Sequence, residues 1–162
     1  MGTQLIVAAV AGVTLGLTGA ALSLRVLARH LLIVEKASPL GFDETVEGIV
    51  KEAKKSGWRV PIVHQLHGTA QEAAGHLLLP ASVIELCRPD YAAEVLGNDG
   101  GRVASSLMPC RVAVYMTADG EVTVSRANTR LLRRMFGGVV SRVMGQATLD
   151  AERFLGSALM RT

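Results

Sequence analysis

The stretch that decides the fold is RVAVYMTADGEVTVS, residues 111–125. Branched apolar residues fill both halves, and Asp119-Gly120 stands between them, a dipeptide typical of the tight turn that joins two antiparallel strands. The stretch therefore predicts a β-hairpin with strands over Arg111–Met116 and Glu121–Ser125.

Upstream of the hairpin, strand signals alternate with helix signals. Runs of branched apolar residues bounded by proline and glycine predict three strands, over Leu31–Lys36, Trp58–Leu66 and Ala81–Leu86. Apolar residues spaced by three or four positions, with residues that favour helix ends, predict three helices, over Glu44–Ser56, Thr69–Ala74 and Pro89–Leu96. This order indicates an α+β protein with one mixed β-sheet and helices mainly on one face.

The sequence from about residue 129 onward predicts a helical segment, which Gly137-Gly138 interrupts. Its apolar residues recur every three or four positions, at Leu132, Phe136, Val139, Val143, Ala147, Ala151, Phe154 and Ala158. This apolar stripe exceeds what one short helix needs against one sheet. We therefore expect it to cover the sheet, an identical neighbour or the bilayer surface.

The N-terminal run LIVAAVAGVTLGLTGAALSL, Leu5–Leu24, carries no charge. A helix of that length rises about 30 Å, the thickness of the hydrocarbon core of a bilayer. A cleaved signal peptide has basic residues before its apolar run, and none precedes this run. We expect residues 1–29 to be a transmembrane anchor helix and residues 30–162 to form one α+β domain with a C-terminal helical extension from about residue 129.

Basic residues follow the run, at Arg25, Arg29 and Lys36. Positive charge beside a span tends to stay in the cytoplasm, which predicts a single-pass protein of the cell membrane with a cytoplasmic domain. Within the span, small residues recur every four positions at Ala8, Gly12, Gly16 and Ala20. That spacing lets helices pack closely and favours a homo-oligomer or contact with other membrane subunits, although glycine and alanine are also common in spans.

Composition narrows the class of protein further. The net charge is +3 and aromatic residues make up 4% of the chain, too few for the stacking platforms of nucleic-acid-binding proteins, so we expect no nucleic-acid partner. The sequence has no nucleophile elbow, phosphate loop, Rossmann glycine pattern or catalytic carboxylate pair. Nothing in it requires a cofactor, and an enzyme is the less favoured interpretation.

The two cysteines, Cys87 and Cys110, are the first candidate site. A thiol pair can exchange disulfides, carry persulfide sulfur or bind a soft metal, but cysteine is also a common small core residue. A parallel crossover between their strands would separate them by ~17–20 Å, whereas an antiparallel arrangement would bring them together. We expect Cys87 to be buried and inert and Cys110, beside Arg111, to be the more reactive thiol.

Two further clusters are candidates for binding. His64 and His67 form an HxxH pattern that, with Cys87 and Cys110, would make a set of metal or haem ligands; ordinary hydrogen-bonded histidines are the alternative. Four arginines near the C-terminal segment form a cationic group for lipid headgroups or a phosphate, the alternative being a solvated helix face: Arg126, Arg130, Arg133 and Arg134.

Three blocks of sequence resemble a known family. They are SPLGFDETV at residues 38–46, LCRP at residues 86–89 and LMPCRVAVY at residues 107–115. They are similar to the bacterial and archaeal family known as domain of unknown function 302, with its S-x-x-x-F-x-E-T pattern, its cysteine before Asn-Pro and its Leu-Pro-Cys. Arg88 and Met108 depart from that pattern. The resemblance covers about residues 31–124 and implies a compact α+β fold and a tendency to dimerise, but no established activity.

Two functions from different classes follow. The first is a membrane-anchored accessory or assembly protein, such as a small subunit of a membrane complex, in keeping with the predicted anchor. The alternative is a redox, sulfur-carrying or metal- or haem-binding protein that uses Cys87, Cys110, His64 and His67. The distance between the thiols and the position of the histidines discriminate between them.

Overall fold

The computed structural model describes residue 28 and residues 31–160. Within that part of the chain, no helix is both long enough and apolar enough to cross a membrane. The predicted anchor run, Leu5–Leu24, lies outside the described residues.

Five strands form one sheet. They are β1 (Ile33–Ser38), β2 (Val63–Gln65), β3 (Ala81–Leu86), β4 (Cys110–Met116) and β5 (Val122–Ala127), in the spatial order β1-β5-β4-β3-β2. The α+β class is confirmed, but the expectation of a mixed sheet is wrong, because every neighbouring pair is antiparallel. The chain between β3 and β4 returns to the sheet at the end where it left, so that Leu86 faces Cys110.

Five α-helices and one 3₁₀ segment complete the described fold. They are α1 (Phe42–Lys55), α2 (Leu66–Ala74), α3 (Pro89–Leu96), the 3₁₀ segment (Asp99–Leu107), α4 (Thr129–Met135) and α5 (Gly138–Ala158). Helix α1 begins where the Gly41 amide donates to the Glu44 carboxylate at 3.2 Å, and its lysines in the last turn favour the helix dipole. Helices α4 and α5 are separate at Gly138, which has a φ of +56° that side chains other than glycine rarely adopt.

The main core lies between one face of the sheet and helices α1 and α5. Alternating residues of β3, β4 and β5 supply the sheet side: Ile84, Leu86, Val112, Val114, Val122 and Val124. The two helices supply the other side: Ile49, Ala53, Phe154, Leu155 and Ala158. Phe154 is 1% exposed. The C-terminal apolar stripe therefore covers its own sheet in this region. Helix α5, which the sequence analysis treated as part of an extension, forms one layer of the core.

Two elements differ from the sequence prediction. The second strand was expected over Trp58–Leu66, but only Val63–Gln65 forms β2. Trp58 instead turns into the core, and Arg59 makes an isolated bridge with Cys87. The 3₁₀ segment was not predicted, because its glycines indicated only a loop.

Four strand termini meet at one end of the sheet, which we call the cysteine end. Ile33 at the start of β1 faces Ala127 at the end of β5, and Leu86 at the end of β3 faces Cys110 at the start of β4. The chain that enters the domain is tied down here. Asn128 donates from its backbone N–H to the Leu32 oxygen at 2.7 Å and from its side chain to the Leu31 oxygen at 2.8 Å.

Candidate functional site

A cavity of about 310 Å³ lies at the cysteine end. The sheet, α3, the 3₁₀ segment, α4 and α5 all contribute to its wall, and most of the lining is apolar. The apolar lining includes Trp58, Leu86, Val95, Leu132, Val143 and Phe154. Its volume is at the lower end of the range for small-molecule sites in proteins.

Cys87 and Cys110 both line this cavity. Because β3 and β4 are antiparallel and Leu86 is the register partner of Cys110, Cys87 stands one residue beyond that pair. The spacings between and along strands then put the two Cα atoms ~6 Å apart, within the range that disulfides span. Both residues therefore stand at the cysteine end, and Cys87 is near enough for its charge to act on the Cys110 thiol.

Burial and the neighbouring thiol set the chemistry of Cys110. Burial raises the pKa of Cys110, and the charge of a Cys87 thiolate raises it further. The expectation that Arg111 would favour the Cys110 thiolate is wrong, because successive residues of a strand point to opposite faces. Arg111 points away and pairs with Glu85 at 3.5 Å, while Cys110 packs against the main core.

A charged cluster borders the cavity beside Cys87. The Arg88 guanidinium contacts Asp150 at 2.7 Å and Asp90 at 3.2 Å, and it lies over the Tyr91 ring at 4.6 Å. The Tyr91 hydroxyl donates to Asp150 at 3.0 Å. Burial raises the pKa of Tyr91, and the hydrogen bond to Asp150 adds to the rise. These contacts join the start of α3 to α5 across the cavity wall.

The four predicted lipid-contact or phosphate-contact arginines differ in their surroundings. The Arg126 side chain is 13% exposed and shares Glu152 with Arg130, at 3.2 Å and 2.7 Å. Arg133 lies against α5, where its guanidinium occupies the space beside Gly145. Within the described residues no carboxylate pairs with Arg133 or Arg134. Arg126 therefore belongs to the cavity wall, and Arg133 and Arg134 carry the uncompensated charge of α4.

The histidines do not join the thiols. His64, on β2, lies 3.2 Å from Glu85 on the sheet face that the helices leave open, whereas His67 Nδ1 lies 3.0 Å from the backbone oxygen of Ala81. His67 also contacts the Phe42 ring edge-on. In the part of the chain that the structure describes, no three His, Cys, Asp or Glu side chains are grouped so that they could hold a metal ion.

Sequence reasoning missed three residues of this site. Trp58 and Tyr91 line the cavity with their rings edge-to-face at 6.0 Å, and Asp150 receives both Arg88 and Tyr91. The buried indole N–H of Trp58 has no hydrogen-bond partner among the described residues. The one available signal was that Trp58 is the only tryptophan of the chain.

The chain matches the family described as Domain of unknown function DUF302 over residues 34–154. This match spans well over half of the sequence, so the protein belongs to that family. The matched range extends beyond the blocks that carried the resemblance and includes most of α5.

Among solved structures, the chain is similar to the crystal structure of an uncharacterised conserved DUF302 protein from Bacillus stearothermophilus. The TM-score is 0.65 at 22% sequence identity, and the alignment covers 80% of this chain and 96% of that one. The likeness shows a shared fold. No curated protein matches the chain.

Proposed function

We propose that this chain is a dithiol protein, redox-active or sulfur-carrying, whose working groups are Cys87 and Cys110. The observation that carries the proposal is that antiparallel pairing of β3 and β4 gathers both thiols at one apolar cavity. A two-thiol reaction requires that one small molecule can reach both sulfurs, and a shared cavity provides that access.

The chemistry of such a pair balances with a small disulfide as oxidant. A thiolate of the pair attacks one sulfur of the disulfide and releases the first small thiol. The second protein thiol then attacks the mixed disulfide, forms the Cys87–Cys110 bond and releases the second small thiol. With a persulfide donor, the same thiolate takes the outer sulfur and the donor leaves as a thiol.

We expect glutathione disulfide to convert the reduced chain into a form with one internal disulfide. Because the pKa of Cys110 is raised, its thiolate fraction is small at neutral pH, so the internal bond should form several-fold faster at pH 9 than at pH 7. Mass spectrometry of the intact chain and of its peptides measures the product.

The single variants Cys87→Ser and Cys110→Ser are the matched controls. Each should stop at a stable mixed disulfide with glutathione, because the second attack has no thiol. Two mixed disulfides on the folded wild-type chain, with no internal bond, would contradict the proposal.

We also propose that the protein is membrane-anchored and acts there as an accessory protein. The uncharged run Leu5–Leu24 supports this, and so does α4. Six residues separate Leu24 from Leu31, a reach of at most about 25 Å, and Leu31 is bound to Asn128, the N-cap of α4. Helix α4 would therefore lie near the headgroups, and its arginines would favour anionic lipid.

A photo-crosslinking residue tests this placement in the full chain reconstituted in anionic nanodiscs. We expect p-benzoylphenylalanine in place of Met135, which is 73% exposed at the end of α4, to give lipid adducts several-fold more often than the same residue in place of Leu77. Leu77 is 85% exposed and precedes β3 at the opposite end of the sheet.

The double variant Arg133→Gln with Arg134→Gln should reduce the adducts at position 135. Equal adducts at the two positions would refute the placement of α4. Release of the full-length protein by alkaline carbonate would separately refute the anchor.

A homodimer also remains a proposal, supported by the small-residue stripe from Ala8 to Ala20 in the N-terminal run. The C-terminal stripe no longer supports it, because Val143 and Phe154 are buried within the chain's own fold.

A further inference from the structure

We infer that the cavity at the cysteine end binds a lipid-soluble quinone, which accepts the electrons of Cys87 and Cys110. This inference rests on the proposed dithiol function and deepens it by naming the class of oxidant. Three properties of the cavity carry it: its charge balance, its lining and its position in the fold.

Among the described residues that line the cavity, no cation is free for an acidic ligand. Three arginines contribute to its lining, although the Arg111 side chain points to the open sheet face, and within the described residues each is paired with a carboxylate. Arg88 contacts Asp150, Arg126 contacts Glu152 and Arg111 contacts Glu85. An anionic ligand such as a fatty acid or a phosphate ester would have to displace one of these partners, whereas a neutral ligand would not.

The lining suits a flat ring with carbonyl oxygens. Trp58, Tyr91 and Phe154 stand around the cavity, with Trp58 edge-to-face against both of the others at 6.0 Å. The buried Trp58 indole N–H lacks an acceptor within the described part of the chain, and a small rotation of the ring toward the cavity would let it donate to a quinone carbonyl. A cavity of about 310 Å³ accommodates a ring of this size.

The cavity lies where the chain from the predicted anchor enters the domain. Leu31 and Leu32 are bound to Asn128, and the next residues, Thr129 and Leu132 of α4, form part of the cavity wall. An apolar molecule that partitions into the bilayer would therefore reach the cavity from the side that faces the membrane.

The electron balance closes with no further reactant. The two thiols lose two electrons and two protons as one S–S bond forms. The quinone takes up both electrons and both protons and leaves as a quinol.

Duroquinone is the probe, because its four methyl groups leave no open ring position for a thiol to add to. With the reduced full chain in detergent under anaerobic conditions, we expect one duroquinol formed and two thiols lost per chain. In the variant Cys87→Ser with Cys110→Ser, duroquinone should still quench the fluorescence of Trp58 with a saturating dependence, although no quinol forms.

Cavity-filling variants locate the binding. Ala92→Phe and Ala147→Phe each place a ring in the cavity. Each should raise the duroquinone concentration for half-maximal quenching at least tenfold, provided that circular dichroism shows a folded chain. Leu149→Phe is the matched control, because Leu149 is exposed on α5, and it should leave the quenching unchanged. Two separate filling variants keep the test decisive if one of them fails to fold.

The outcomes separate the two proposals. A chain that forms its internal disulfide with glutathione disulfide but neither binds nor reduces duroquinone would overturn the quinone inference and leave the dithiol function standing. A chain that forms no internal disulfide with either oxidant would overturn both. Quenching that the filling variants leave unchanged would overturn the assignment to this cavity.

Discussion

Phe154→Ala is expected to lower the free energy of unfolding by about 3–5 kcal/mol. The Phe154 side chain is almost completely buried in α5, packs on the main core and contacts the Trp58 ring edge-on. Its removal loses the free energy gained when a large apolar side chain moves from water into the core. It also leaves a void beside an existing cavity. Since domains of this size are stable by about 5–15 kcal/mol in total, much of the folded population would be lost.

Urea denaturation of the full chain in detergent, followed by circular dichroism, measures the change. Leu149→Ala is the matched control on the same helix, because Leu149 is 59% exposed, and it should shift the free energy of unfolding by no more than about 0.5 kcal/mol. Equal midpoints for the two variants would show that α5 is not the core layer described.

Gly101→Ala is the second substitution with a large expected effect. A Cβ atom at Gly101 would overlap the backbone oxygen of Val95 and would lie 3.2 Å from a methyl group of Val139. The oxygen belongs to the backbone of α3 and cannot turn aside, so the 3₁₀ segment would have to shift. We expect the free energy of unfolding to fall by about 1–3 kcal/mol.

The neighbouring Gly100→Ala is the control for this substitution. The nearest atom to a Cβ there is the Asn98 side-chain oxygen at 3.4 Å, an ordinary contact. Thermal melts should therefore separate the two alanine variants by several degrees. If Gly101→Ala melts with the wild type, the close packing of the 3₁₀ segment on α3 does not hold in solution.

The local elements of this fold could be predicted from the sequence because their signals are local. The third strand, Ala81–Leu86, and the helix after it, Pro89–Leu96, have the predicted bounds, since proline opens the helix and glycine follows it. The second strand was predicted too long. Branched residues around Pro61 suit a strand, but proline has no N–H to donate to a ladder, and only Val63–Gln65 pair in continuous register with β3.

The candidate site could be predicted only in part, because its geometry depends on contacts between distant residues. Cys87 and Cys110 were identified as chemistry-bearing residues, but their proximity follows from the direction of β4 relative to β3. No local pattern sets that direction. The role of Arg111 was misjudged for a related reason: adjacency along a strand places two side chains on opposite faces.

The connection between β3 and β4 has a topological consequence. Cys87 and Cys110 bracket α3 and the 3₁₀ segment, and both of those elements contribute to the cavity wall. A bond between the two sulfurs would place these two elements in a covalently closed ring of roughly twenty residues, and it would lower the entropy of the unfolded chain by the equivalent of about 3 kcal/mol. Oxidation of the two thiols would then make local unfolding of α3 and the 3₁₀ segment less favourable, so the redox state would be linked to the stability of this part of the cavity wall.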